Sequence, residues 1–280
     1  MIKSVISSKK FKAIILVFSC LLSLSFVSVL HAEEVKAEDQ KVETPTWKSN
    51  VELGYVSSSG NSETTSINGA FGATYEVDVW KHAISLKSLF SAATDADTNE
   101  DKTSAERYTF QAKTDYKFSA DGYAFAVVDY DDDRFSDNDY QTSLALGRGF
   151  KFALSETSNL DLEIGLGYRQ TKKKAFVIET ELSPGVPVFT IFPEEKINET
   201  IVRLAANYTA DITEHSKFEQ KFSVESGEEN TVSKSYSGLS VNIAENLALK
   251  VSLTATHQSD VREGTEALDT ITAVTVVFNF

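Results

Sequence analysis

The strongest constraint in this chain is an alternation of apolar and polar residues that runs, segment after segment, from Trp47 to the last residue. Only an extended strand sends every second side chain to the same face, so a sustained period of two dictates β structure. From Leu160 the apolar row is Leu160, Leu162, Ile164, Leu166 and Tyr168, set against Asp161, Glu163, Gly165, Gly167 and Arg169. A second row, Tyr108, Phe110, Ala112, Tyr116 and Phe118, faces away from Arg107, Gln111, Lys113, Asp115 and Lys117. Leu247, Leu249, Val251, Leu253 and Ala255 alternate with Lys250, Ser252, Thr254 and Thr256. The final stretch places Val274, Val276, Phe278 and Phe280 on one side and Ala273, Thr275 and Asn279 on the other, ending on an aromatic residue. Shorter rows occur at Val51-Leu53-Tyr55, Ile67-Phe71-Ala73-Tyr75, Ile84-Leu86-Phe90 and Val202-Leu204-Ala206-Tyr208. The stretches 123–131, 140–152, 217–226 and 231–243 alternate less cleanly, and Arg148 falls on the row of Leu144 and Leu146.

These segments amount to about twelve strands of roughly 10 residues, the length of a tilted bilayer crossing rather than of an ordinary soluble strand. The connectors support the same reading. One set, near 78–81, 119–122, 153–158, 211–215 and 244–246, is uniformly short. The other, near 57–62, 93–103, 131–138, 171–198, 227–231 and 258–267, includes the long segment Thr171 to Asn198. Pro184, Pro187 and Pro193 in that segment predict an irregular loop outside any ladder. Short turns on one rim, longer loops on the other and aromatics at strand ends predict an all-β fold: a transmembrane antiparallel up-and-down β-barrel of about 12 strands over residues 47–280. A soluble periplasmic β-sandwich binding protein, its charged faces turned to water, is the competing fold.

The amino terminus carries Lys3, Lys9, Lys10 and Lys12, then an apolar run from Ala13 to Leu30, then His31-Ala32. That order is a secretory signal peptide over residues 1–32, with cleavage after Ala32, or after Ala37 as the alternative. Residues 33–46 are charged, lack aromatics and are expected to be a disordered periplasmic tail. The one cysteine, Cys20, lies in the leader, so the mature chain would suit an oxidising compartment. A net charge of -14 argues against a nucleic-acid partner. Mean hydropathy near zero does not argue against a membrane, because a barrel shows lipid only every second residue.

The segment Glu52-Leu53-Gly54-Tyr55-Val56-Ser57-Ser58-Ser59-Gly60-Asn61-Ser62-Glu63-Thr64-Thr65 resembles the opening hairpin of the salt-induced outer-membrane protein family, the domain-of-unknown-function 481 group. Asp129-Tyr130-Asp131-Asp132-Asp133-Arg134-Phe135 and Leu144-Ala145-Leu146-Gly147-Arg148-Gly149-Phe150 are similar to it as well. The resemblance covers 47–280 and implies an outer-membrane β-barrel in a Gram-negative envelope, with no assigned chemistry.

No catalytic residue, cofactor site or metal site is predicted. His257-Gln258-Ser259 resembles the His-X-Ser pair of outer-membrane phospholipases, which makes a lipid-active hydrolase the alternative function, but no residue is placed to orient the imidazole. Asp95, Asp97, Asn99 and Glu106 match part of a calcium loop whose required glycine is here Glu100. Asp129, Asp131, Asp132, Asp133, Asp137 and Asp139 read as a second acidic loop where cations could gather. The charged row expected to line the lumen contains Glu52, Glu76, Arg107, Lys113, Asp115, Asp161, Glu163, Arg169 and Arg203. It fits either a filled, ion-paired interior or a narrow pore. Phe280 is read as the membrane-insertion signal. The expected partners are outer-membrane lipid and lipopolysaccharide around the barrel, and the barrel-assembly machinery at the C-terminal strand. The expected role is non-enzymatic: a narrow channel or an envelope-integrity protein under osmotic stress.

Overall fold

The computed structural model describes residues 45–58, 64–94, 101–183, 186–262 and 265–280. The expected signal peptide and nearly all of the expected tail lie outside them; Thr46, assigned to the tail, is the first residue of a strand. The strands are β1 (Thr46–Ser58), β2 (Thr64–Val77), β3 (Trp80–Thr94), β4 (Asp101–Lys117), β5 (Gly122–Asp133), β6 (Asn138–Ser155) and β7 (Ser158–Lys173). There follow β8 (Phe176–Ser183), β9 (Val186–Phe192), β10 (Glu195–Thr213), β11 (Ser216–Ser226), β12 (Thr231–Ala244), β13 (Leu247–Gln258) and β14 (Leu268–Asn279). All but β8 and β9 close into a single antiparallel barrel of twelve strands, each beside its neighbour in the chain, with β10 following β7. β14 returns to β1 through Asn50↔Asn279 to Leu53↔Val276, and Ser49 and Phe280 exchange backbone hydrogen bonds of 3.1 and 2.8 Å.

Burial is inverted relative to a water-soluble protein. Leu166 is 66% exposed, while Arg169, three residues along the same strand, is 0% exposed. The alternating apolar rows face outward, and the charged rows face the bore. Register explains how the rows stay coherent. Leu146 pairs with Leu166, Ile164 with Leu204 and Val251 with Val274, so each outward residue sits beside another outward residue. At the rim carrying short turns, Trp47, Tyr75, His82, Trp80 and Tyr116 form a continuous run of ring contacts, with neighbouring centroids 5.0–6.4 Å apart. Four turns on that rim, 78–79, 156–157, 214–215 and 245–246, leave two residues between strands, and the fifth spans 118–121. Asp78 adopts φ 48°, as a two-residue hairpin turn requires.

The segment Thr171 to Asn198 departs from expectation. It is not irregular: β7 runs to Lys173, β10 begins at Glu195, and β8 and β9 form a hairpin between them. Pro187 pairs with Glu181 inside that hairpin. In a two-stranded sheet both strands are edges, so a missing N–H can face outward and proline is tolerated.

β5 is apolar on both faces. Its bore-facing row begins Tyr123, Phe125, Val127 before turning to Asp129, Asp131 and Asp133, and Phe125, Val127 and Ala145 form a buried cluster. The rings fit because their partners across the ladder are glycines. Tyr123 pairs with Gly149 and Phe125 with Gly147. A Cβ on Gly149 would stand 2.1 Å from the Tyr123 ring. Gly149→Val should therefore lift the ring and destabilise the barrel by about 1–3 kcal/mol. Urea unfolding in lipid vesicles measures this, and most of the cost should vanish when Tyr123→Ala is the background.

Candidate functional site

Among the described residues the bore is where charged groups concentrate, because closure of the sheet brings charged rows from twelve strands within reach of each other. Every lumen residue named from the sequence, Glu52, Glu76, Arg107, Lys113, Asp115, Asp161, Glu163, Arg169 and Arg203, lies on a bore-facing row. They fall into two layers.

The layer nearer the short turns has two halves. On one side Lys113 bridges Asp115 and Glu163, the latter at 2.8 Å, while the Tyr123 hydroxyl donates to Glu163 at 2.8 Å. Lys117 pairs with Glu76 close by, and Asp161 has a buried carboxylate oxygen with no hydrogen-bond partner. On the other side Lys250 pairs with Glu52, and Lys221 pairs with Glu219 at 2.9 Å. Lys87, Lys221 and Lys250 converge on the Tyr236 ring with Nζ 4.9, 5.7 and 5.8 Å from its centroid. Lys87 stands on β3 and Tyr236 on β12, five positions apart around the barrel, so this contact crosses the bore. Lys87 and Lys221 are nevertheless exposed, which makes this layer a wet vestibule.

The layer nearer the long loops is denser. Arg107 makes a two-pronged contact with Asp131, at 3.0 and 2.7 Å, and Lys234 reaches the same carboxylate at 3.3 Å from β12. That second ion pair also spans five positions of the ring. Arg203 binds Glu225 at 2.6 Å and Asp129 at 3.5 Å, and Ser143 donates to Glu225 at 3.2 Å. Arg169 gives Nε and Nη2 to Glu199 at 3.0 and 2.8 Å, gives Nη1 to the Glu225 carbonyl at 3.1 Å, and also donates to the Asn230 carbonyl. Beside Arg107 and Lys234 the free volume is about 20 Å³, room for a single water. Sequence alternation placed the individual residues; which charge meets which across the bore follows from closure and strand stagger, and no local pattern encodes it.

The acidic segment behaves differently from expectation. Asp129, Asp131 and Asp133 are bore-facing residues of β5, not loop residues, and the cations they meet are the protein's own. Asp137 binds Arg262 at 2.6 Å, and Asp139 binds Lys172 at 3.0 Å. Among the described residues no cluster of three His, Cys, Asp or Glu could hold a metal ion. Asp95, Asp97 and Asn99 lie outside the described residues; Glu106 is engaged by Arg134 at 3.0 Å.

His257 and Ser259 are not brought together as a dyad. His257 is exposed on the outward row of β13, paired with Leu268 and Ser233. The Ser259 hydroxyl accepts from the Thr231 N–H at 2.8 Å and lies 3.2 Å from the Asn230 amide oxygen. Phe280 is 73% exposed at the short-turn rim, anchored by its backbone to Ser49.

Removing one member of a buried ion pair leaves the other charge stranded in low dielectric. Arg169→Met removes the cation paired with the buried Glu199 carboxylate, and should cost about 3–5 kcal/mol, measured as a shift in the urea midpoint of the vesicle-inserted barrel. Lys221→Met, at a wet position, should cost about 1 kcal/mol or less.

The Escherichia coli (strain K12) protein described as "Uncharacterized protein YdiY" is 24% identical over 214 residues, spanning 76% of this chain and 75% of that protein. Among solved structures, the translocator domain of the autotransporter NalP from Neisseria meningitidis aligns with a TM-score of 0.47 at 11% identity, covering 86% of this chain and 90% of that one. The NanC porin aligns at 0.41 and 12% identity, covering 82% and 98%. Those two likenesses go no further than barrel type. The family model "Protein of unknown function, DUF481" matches residues 51–280, nearly the whole barrel, and the chain belongs to that family.

Proposed function

We propose that this protein is a non-enzymatic outer-membrane barrel whose bore is held shut in its external half, so that it serves the envelope as a sealed or narrowly gated wall component. The carrying observation is the pair of contacts that cross the bore, Lys234 to Asp131 at the outer layer and Lys87 to Tyr236 at the inner one. An open pore would keep opposing walls apart and their charges hydrated. Here opposing walls are in contact, and the free volume beside Arg107 and Lys234 is about 20 Å³.

Membrane insertion follows from the outward face. Barrel strands of 11 to 19 residues reach or exceed the 9–11 or so needed to cross a bilayer, and their exposed rows are rich in Leu, Ile, Val and Phe. The short-turn rim would face the periplasm and the long-loop rim the outside, as in bacterial barrels generally. Lipopolysaccharide would surround the outer rim, and the assembly machinery would engage β14 ending at Phe280. A leader over residues 1–32 completes the route.

Wild-type protein in planar bilayers should give no large, stable conductance steps, whereas Asp131→Ala combined with Lys234→Ala should produce them. Large steps from the wild type would overturn the closed reading. Phospholipase assays should show no hydrolysis that His257→Ala abolishes; His257-dependent turnover would overturn the non-enzymatic one. Heat-modifiable gel migration and a requirement for detergent test membrane insertion itself.

A further inference from the structure

One arginine stands between apolar residues on the outward face of the barrel, where the bore cannot explain it. Arg148 lies on β6 between Leu146 and Phe150, on the outward row, and its neighbours across the two ladders are Ala124 and Ile164. It is exposed, and among the described residues it has no carboxylate partner. An arginine in an apolar belt survives by running its side chain along the surface to the interface. This one does so: its guanidinium stacks 5.1 Å from the Phe118 ring, and Phe118 sits in the short turn 118–121 beside the aromatic belt. The cation is thus delivered to the depth at which lipid phosphates lie.

A second feature adjoins it. Phe150, Leu162, Ile164, Leu204, Ala206 and Phe222 line an outward apolar groove of about 360 Å³. Ala206 forms its floor, because it pairs with Leu162 on one side and Phe222 on the other and is far smaller than either. Ile164 and Phe150, the groove's near wall, are also the residues that flank Arg148 in the sheet. A cation at headgroup depth therefore opens directly onto a chain-shaped apolar slot. Bulk lipid needs neither.

We infer that the outward face of β6, β7, β10 and β11 is a binding site for one glycerophospholipid of the periplasmic leaflet. Its phosphate would lie on Arg148 and Phe118, and one acyl chain in the groove over Ala206. This rests on the membrane-inserted reading above. Guanidinium recognises phosphate through paired, charge-assisted hydrogen bonds, so the headgroup requirement is a phosphate and not a particular alcohol.

Native mass spectrometry of the folded, full-length mature chain tests it, using detergent micelles doped with palmitoyl-oleoyl phosphatidylglycerol or with dioleoylglycerol, one at a time. Wild type should retain a single phosphatidylglycerol and no diacylglycerol. Arg148→Leu should lower retention roughly tenfold, the size expected for losing hydrogen bonds to a charged group. Ala206→Trp, which fills the groove and leaves the cation in place, should do the same. Equal retention by wild type and Arg148→Leu, or equal retention of the two lipids, overturns the site. A chain that stays dispersed without detergent overturns the membrane reading as well; a detergent-requiring barrel that keeps no lipid overturns this site alone.

Discussion

Closure of the sheet by its own backbone hydrogen bonds is the interaction on which everything else depends. Twelve antiparallel strands closed into a ring leave no free edge strand, which is the condition for a sheet to exist in hydrocarbon. The seam between β14 and β1 is its shortest ladder, and it is reinforced where the chain ends, at Ser49 and Phe280. Once the sheet is closed, alternation has only two destinations, outside and bore. Outward residues need nothing further, since any apolar side chain suits lipid. The bore is the demanding side, because each ionised group placed there must find a partner or water.

The two layers meet that demand in different ways. In the vestibule, Lys87 and Lys221 keep contact with water, so imperfect pairing costs little. In the outer layer, Arg169 and Arg203 are buried and must be paired by geometry. The multiple contacts to Glu199, Glu225 and Asp129 fit that need, and the partnerless Arg203 Nε marks where it is incompletely met. Tyr123, Phe125 and Val127 fill the adjoining wall, where the Lys113 ammonium lies 4.9 and 5.4 Å from the centroids of the Tyr123 and Phe125 rings.

Strand identity and facing were legible wherever one face is charged and the other apolar, as in β7 and β13, since period two then has a single interpretation. β5 was harder, because Tyr123, Phe125 and Val127 point into the bore while Ala124, Ala126 and Val128 point out. The signal that resolves it lies on other strands: Gly147 and Gly149, two residues apart on β6, stand opposite the rings, and Gly165 on β7 pairs with Gly147, where a Cβ would come within 3.1 Å of the Phe125 ring. The prolines of the segment 171–198 misled because proline excludes a strand from a sheet interior, whereas β8 and β9 have no interior. The pairing of Lys234 with Asp131 was not legible at all. Residues 103 apart in sequence meet only because strand order and stagger put them at one height on facing walls.

The outer layer and the rim loops are also a single network, which limits how the bore could open. Asp133 approaches Arg107 in the bore at 3.9 Å and accepts the Phe135 N–H at 2.9 Å in the adjoining turn. Lys174, at the root of the β8–β9 hairpin, donates to the carbonyls of Asp133, Arg134 and Ser136 at 3.1, 2.7 and 2.8 Å. Asn138 on β6 and Asn230 beside β12 both donate to Gln258 on β13, and the Asn230 carbonyl accepts from Arg169. Separating Asp131 from Lys234 by moving the walls apart would therefore strain contacts that tie three loops together. Polar networks of this kind lose their members together more readily than singly, since each broken bond exposes a partner to low dielectric. On the closed-bore reading proposed above, opening would be a joint change of loops and bore, and a force on the loops would act on the seal.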